Sequence, residues 1–291
     1  MSSLNTNASA MTALQTLAST NKNLATTQSR ISTGFRVAEA KDNAAYWSIA
    51  TTMRSDNKAF SAVQDSLGLG AGKIDVAYTG MNSAIDVVDE IKQKLVSAVG
   101  ASTEDKEKIQ TEIAELKAQL LGIASSANYA GSNLLAAGTP ANLEIVASYD
   151  RDTTGAVSVN KITVAIANIT LFTDAEAGTG GNLADVYAIA AVDTLDDDAI
   201  ETAIGTVETA LATMADGAST LGAAKKRVDM QKDFVSKLQD SIDRGVGQLV
   251  DADMNKESSR LAALQVQQQL GIQALSIANS NTQNILSLFR S

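Results

Sequence analysis

The sequence predicts a mainly α protein: an elongated antiparallel helical bundle or coiled coil with its N- and C-terminal helices paired, plus a small central β-hairpin region. Three observations predict it. Every seventh residue from Met53 is large and apolar: Met53, Phe60, Leu67, Ile74, Met81, Val88 and Leu95. A second ladder at the same spacing runs Ile200, Val207, Met214, Leu221, Val228, Val235, Ile242 and Leu249. Heptads sustained this long place each ladder on one helix packed against partner helices, and ~1.5 Å of rise per residue gives each roughly 60–75 Å of length. Finally, both chain ends carry apolar stripes among mostly uncharged residues. These are Leu4, Met11, Leu14, Leu17, Leu24 and Ile31 at one end, and Leu261, Leu264, Leu275, Ala278, Ile285, Leu286 and Phe289 at the other.

No charged residue lies between Leu261 and Phe289. A solvated helix face normally carries Lys, Glu and Arg. An uncharged Gln, Asn and Ser face suits packing among identical copies, where symmetry would bring like charges together. Alone, such segments bury little and are expected to be disordered.

Residues 32–46 interrupt the periodicity. Gly34 and the Asp42-Asn43 pair supply loop and cap chemistry, so a connector leads into the first long helix at about Ala44. That helix is predicted to end near Gly100. Ser102-Thr103-Glu104-Asp105 forms a capping box, opening a third helix whose face is Ile109, Ile113, Leu116 and Leu120 and which stops before Asn128. After Pro140 the period falls to two. Leu143, Ile145, Ala147 and Tyr149 share a face, Asp150–Gly155 is a turn, and Val157–Val159 and Ile162–Ile166 return. A third strand is expected at 169–172, a Gly-rich loop at 173–182 and a short helix within 182–192. Asp196-Asp197-Asp198 precedes the second ladder, where negative charge favours a helix N-terminus. Asp251–Asn255 breaks that ladder from the terminal helix. First therefore pairs with last, and both termini are expected at one end.

The chain has 291 residues, net charge −10, no Cys and no His. An acidic chain lacks the basic faces that nucleic acid and anionic membranes require. Absent Cys and His remove disulfides, thiol chemistry, imidazole bases and His-ligated metals. Met1–Ser29 has one charge, Lys22, and no continuous apolar core, so no cleaved secretory signal is expected. No stretch reaches the ~18 consecutive apolar residues of a membrane span.

Motif-like stretches yield no chemistry. Asp251-x-Asp253-x-Asn255 has Lys256 and Ala262 where a calcium loop needs Gly and Glu. Gly68–Lys73 lacks the Ser or Thr of a phosphate loop, since Ile74 follows, and its glycines suit close helix packing. Lys225-Lys226-Arg227 is a solvated basic run, and Trp47 beside Tyr46 is a packing anchor. No catalytic, cofactor or metal site is expected.

Gln28–Ala50, QSRISTGFRVAEAKDNAAYWSIA, resembles the N-terminal signature of bacterial flagellins. Asp251–Arg290, closing in NILSLFR, resembles their C-terminal signature. The likeness covers about residues 1–138 and 200–291, and the AKDNAAYWSIAT wording is similar to the alphaproteobacterial, rhizobial type. The resemblance implies a filament subunit for swimming motility, exported unfolded by the flagellar type III system. It implies a terminal coiled-coil domain lining the filament's inner tube, residues 1–43 and 252–291. A helical-bundle domain with the β-hairpin follows, residues 44–172 and 196–251, and 173–195 is a short variable insert. The implied partners are other copies and other flagellins, the filament cap, hook-junction proteins and an export chaperone at the C-terminal region. A hook–filament junction protein is the alternative within the superfamily, and a surface adhesin the alternative from another class.

The resemblance also implies a face for host flagellin receptors: Gly34, Arg36, Asp42 and Asn43 in the connector, and Ile91 and Leu95 on the first ladder. Phe35, Asn43, Tyr46 and Trp47 stand where eliciting versions carry a small residue, Asp, Gly and Leu. Ile91 stands where the receptor-contacting Arg is found. Recognition is therefore expected to be weak or absent. A synthetic 28–50 peptide applied to plant leaf tissue should give little oxidative burst, and a strong burst would refute the expectation.

Overall fold

A computed structural model describes residues 7–136, 142–152, 154–174, 176–191 and 196–288, with side chains described as far as Ser280. The chain divides into two compact units, Met1–Asn57 with Asp240–Ser291, and Lys58–Gln239. These divisions fall inside the two long helices.

In the first unit, α1 (Ala8–Thr33) opens on Asn7, whose side chain accepts from the Ala10 N–H. It closes on Gly34, left-handed at φ 76°, whose N–H donates to the Arg30 carbonyl. That conformation suits glycine. α1 runs antiparallel to α6 (Met254–Leu288). The two connectors between these helices and the long ones hold each other. Phe35 bridges Asp251, the Arg36 and Val37 N–H groups donate to the Val250 carbonyl, and Ala252 donates to Gly34. Beneath this ladder lies a small core of Val37, Ala50, Val246 and Val250, flanked by half-buried Phe35, Met53, Ile242 and Leu249. The ends of both heptad ladders thus serve the first unit's core. α6 opens on Asp253, whose carboxylate accepts from the Asn255 and Lys256 N–H groups. The acids at 251–255 are a helix break, as their sequence suggests.

In the second unit, parts of α2 (Ala44–Ala98) and α5 (Asp197–Val250) pack with α3 (Thr103–Ser126). Leu67, Ile74, Met81, Val88 and Leu95 are fully buried, as are Val207, Met214, Leu221 and Val228; Phe60 and Val235 are buried beside them. Ile113 and Leu120 of α3 are buried too. Ion pairs border the seams: Lys92–Glu208 and Lys225–Asp75 tie α2 to α5, Lys94–Glu112 ties α2 to α3, and Lys106–Asp197 ties α3 to α5. Exposed pairs of this kind set register more than stability. The N-cap half of the capping box forms: the Ser102 hydroxyl accepts from the Asp105 N–H and donates to the Asp105 carboxylate at 2.8 Å. That hydroxyl, and then Lys108, hold the Asp105 carboxyl below its ordinary range.

β1 (Asn128–Tyr129) and β2 (Ser132–Asn133) make a tight hairpin over Ala130 and Gly131, both at positive φ. The sequence treats this stretch only as a helix end. β3 (Asn142–Arg151) and β4 (Val157–Ala165) pair antiparallel, with a register shift between Val146 and Ser148. The inward face of β3 is Leu143, Ile145 and Ala147, as the alternation predicts. Asp152 closes the turn by accepting from Thr154 and Ala156. No strand forms at 169–172. Ile169 N–H turns back onto the Ile166 carbonyl, and Leu171 and Phe172 both donate to Leu135. Ile169, Leu171 and Phe172 are all fully buried, so the segment plugs the core rather than alternating. The short helix is one turn, α4 (Ala184–Tyr187). It is held by the buried Lys117 ammonium of α3, which donates to the Tyr187 and Ile189 carbonyls at 3.2 and 2.8 Å. Burial pushes the Lys117 pKa down.

The glycines of α2 allow close approach. A Cβ at Gly70 would lie 2.5 Å from Ile145, and one at Gly72 would lie 2.6 Å from Tyr129. Gly70 and Gly72 of the Gly68–Lys73 run therefore serve packing, with α2 unbroken through it.

Candidate self-assembly surface

α1 and α6 meet along a seam of alternating three and four spacing. On α1 it comprises Leu17, Thr20, Leu24, Thr27 and Ile31, and on α6 Leu261, Leu264, Gln268, Gly271, Leu275 and Ala278. Thr20, Thr27 and Leu264 are buried, and the other named residues are partly so. Thr20 satisfies its hydroxyl within its own helix by donating to Thr16. Three polar contacts set the register. Asn7 donates to the Ala278 carbonyl at 3.0 Å, Gln268 donates to the Asn21 side chain at 2.7 Å, and Arg30 meets Glu257 at 3.2 Å. A Cβ at Gly271 would sit 3.2 Å from Leu17, so glycine lets the helices close up there. The Glu257 side chain is 8% exposed, and its second oxygen has no hydrogen-bond partner. This pair is the charged element of an otherwise neutral seam, which suits a register lock.

The remaining apolar residues are bare. Met11 and Leu14 on α1, and Val266, Leu270, Ile272 and Ile277 on α6, are between 55% and 66% exposed. Apolar patches this large on a soluble protein mark interaction surfaces. α6 is apolar on more than one side, and a helix of that kind is covered on more than one side.

The terminal residues named from sequence thus separate. Leu17, Leu24, Ile31, Leu261, Leu264 and Leu275 belong to the seam within the chain. Met11 and Leu14 do not, because the seam's positions at that end fall on the half-buried Ala10 and Ala13. Ile285 and Leu286 lie on α6 with side chains outside the described region, and Leu4 and Phe289 lie outside the described residues. Sequence reasoning missed Val266, Leu270, Ile272 and Ile277. The signal available was a Val266, Leu270, Ile277 series at four and seven spacing, beside the first stripe and equally free of charge.

Ile91 and Leu95, named as part of a receptor face, are 0% exposed. They point into the second unit's core, and no receptor can touch them in the folded chain. The exposed side of α2 there passes through Asp89, Glu90, Gln93 and Val96. The connector residues are structural. Gly34 caps α1, and Arg36 donates to the Leu249 carbonyl at 2.8 Å. Asp42 accepts from the Ala38 and Glu39 N–H groups, and Asn43 caps α2 by accepting from Tyr46. Among the described residues no group of three or more carboxylates is placed to hold a metal, and no helix is long and apolar enough to cross a membrane.

Two terminal helices that share one buried seam and leave further apolar side chains bare on their outer sides are the build of a structural subunit rather than of an enzyme or a ligand pocket. Comparison with known proteins agrees. Residues 4–139 match the bacterial flagellin N-terminal helical region, and residues 204–289 match the bacterial flagellin C-terminal helical region. The chain is 62% identical over 291 residues to a flagellin of Brucella melitensis biotype 1, covering the whole of both. It is 48% identical over 321 residues to flagellin C of Rhizobium meliloti, again covering all of both chains. A flagellar hook-associated protein structure from Vibrio parahaemolyticus shares the fold at TM-score 0.56 and 12% identity, covering 72% of this chain and 100% of that one. The chain belongs to the bacterial flagellin family. It is a structural subunit that polymerises into the extracellular flagellar filament.

The Arg30–Glu257 lock generates a prediction. Arg30→Met leaves a buried carboxylate unpaired and should destabilise the α1–α6 pair by about 3 kcal/mol. Adding Glu257→Leu should recover most of that loss, because both charges are then gone. Denaturant unfolding followed by hydrogen exchange at α1 checks both.

Proposed function

We infer that the bare face of the α1–α6 pair is where copies meet in the filament, and that this pair forms the inner tube. The observation that carries it is the exposure of Met11, Leu14, Val266, Leu270, Ile272 and Ile277 on helices that hold few charges, Lys22 and Arg30 on α1 and Lys256, Glu257 and Arg260 on α6. Burying one such side chain is worth about 1.5–3 kcal/mol. Identical copies related by symmetry can share the face without like-charge repulsion. Residues 44–172 and 196–251 then form the layer outside the tube, with 173–195 as a short surface insert. Their buried ladders and ion-paired rims support this, since that part satisfies its own apolar surface.

The same bare face suits the partners met before and during assembly. An export chaperone would cover the apolar side of α6, and the filament cap and hook-junction proteins would engage subunits at the filament's two ends. Weak host-receptor recognition then rests on the connector, where Phe35, Asn43, Tyr46 and Trp47 stand in place of the residues of eliciting versions.

The test separates the two faces. Leu270→Asp places a charge on the bare face only. Monomers should keep wild-type circular dichroism and exchange protection, while electron microscopy shows no filaments. Leu264→Asp places its charge in the 7%-exposed seam and should cost several kcal/mol in α1–α6 pairing itself. Filaments of normal length from Leu270→Asp would overturn the assignment.

A further inference from the structure

The chain has no cysteine, so its oxidisable sulfur lies in seven methionine thioethers. Burial sorts the described ones. Met81 and Met214 are 0% exposed in the second unit's core, and Met53 is half-buried against the first unit's small core. Met11, Met230 and Met254 are 66%, 56% and 44% exposed. Oxidation by a peroxide follows access to the sulfur, so these three are open to it in the single chain. Their surroundings differ. Met230 belongs to the second unit and Met254 to the break that opens α6, and both sit among charged residues. Met11 has none near it, since the first charge in the chain is Lys22. It precedes the buried Thr20 by about two and a half helical turns and so stands on the side of α1 away from the seam. Exposed Leu14 lies one turn on.

We propose that Met11 is an oxidation switch on assembly: a peroxide that reaches the unassembled chain converts its thioether to the sulfoxide, and subunits marked in this way do not enter the filament. A sulfur lone pair attacks one peroxide oxygen. The S–O bond forms as the O–O bond breaks, and sulfur gives up two electrons. The departing hydroxide takes the remaining proton and leaves as water. The product places a strong hydrogen-bond acceptor where an apolar contact is needed. The Thr12 and Thr16 hydroxyls beside it already donate to carbonyls of their own helix. Burying an unpaired acceptor is costly, so the contact weakens. Methionine sulfoxide reductases reverse the change. The switch rests on the reading that another copy covers the outer side of α1.

Full-length monomers are treated with hydrogen peroxide, each methionine is scored by mass spectrometry, and the critical concentration for assembly is measured on the same sample. Each protein is compared with itself before and after treatment. In the wild type the critical concentration should rise about tenfold or more, in step with sulfoxide at Met11 and with monomer circular dichroism unchanged. Reductase treatment should bring it back. In Met11→Leu the same peroxide should leave the critical concentration where that variant began, although Met230 and Met254 are oxidised. An unchanged critical concentration at full Met11 oxidation, or an equal rise in Met11→Leu, would overturn the proposal. Peroxide added to intact filaments tests the packing reading separately, since Met11 should stay unoxidised there. Shielding of Met11 in filaments, combined with an unchanged critical concentration, removes the switch and leaves the packing reading standing. Equal oxidation of Met11 in filaments and monomers removes both.

Discussion

An α-helix that carries apolar side chains on two faces has to be covered twice, and α6 is such a helix. Its first cover is α1, along Leu261, Leu264, Leu275 and the glycine at 271 that lets Leu17 approach. Among the described residues nothing supplies the second cover. Val266, Leu270 and Ile277 therefore stand more than half exposed. Charges on that face would solubilise the monomer and would repel in a symmetric polymer. The composition resolves this with Gln, Asn, Ser and Thr, which hydrogen-bond in water and across a contact alike. Everything else in the chain is consistent with delivering this helix pair in a defined register.

The second unit shows the contrasting case. Its heptad residues are buried inside the chain, and its surface carries the carboxylates and lysines of a solvated protein. Glycines at 70 and 72 bring the β3–β4 hairpin and Tyr129 against α2. Lys117 holds the short insert by two carbonyls. Because burial lowers the Lys117 pKa below its unfolded value of 10.5, its charge opposes folding at neutral pH. That penalty lifts as pH rises through the folded pKa toward 10.5. The cost is tolerated because an apolar residue there would leave the Tyr187 and Ile189 carbonyls unpaired.

Much of this was legible in the residues. Heptads predicted α2 and α5 because an apolar residue at every seventh position, kept up over so many turns, traces one face of a helix. Ser102 announced a helix start by cap chemistry, the acids at 251–255 announced a break, and alternation after Pro140 predicted the inward face of β3. Where period gave no answer, sequence reasoning lost its hold. Ile169, Leu171 and Phe172 look like a strand, yet the turn at Ile166 makes them a core plug. Met11 and Leu14 read as one stripe with Leu17, although helical geometry puts them beside the seam. The β1–β2 hairpin is too short to show a period. Ile91 was carried over by alignment alone, and alignment says nothing about which way a side chain points.

The central claim is that the bare α1–α6 face is covered by another copy. The chain has no cysteine, so Leu270→Cys creates a unique thiol at its middle. Maleimide labelling of that thiol should be fast in monomers and blocked in intact filaments, then return when the filaments are dissociated. Equal labelling rates in monomers and filaments would contradict the account.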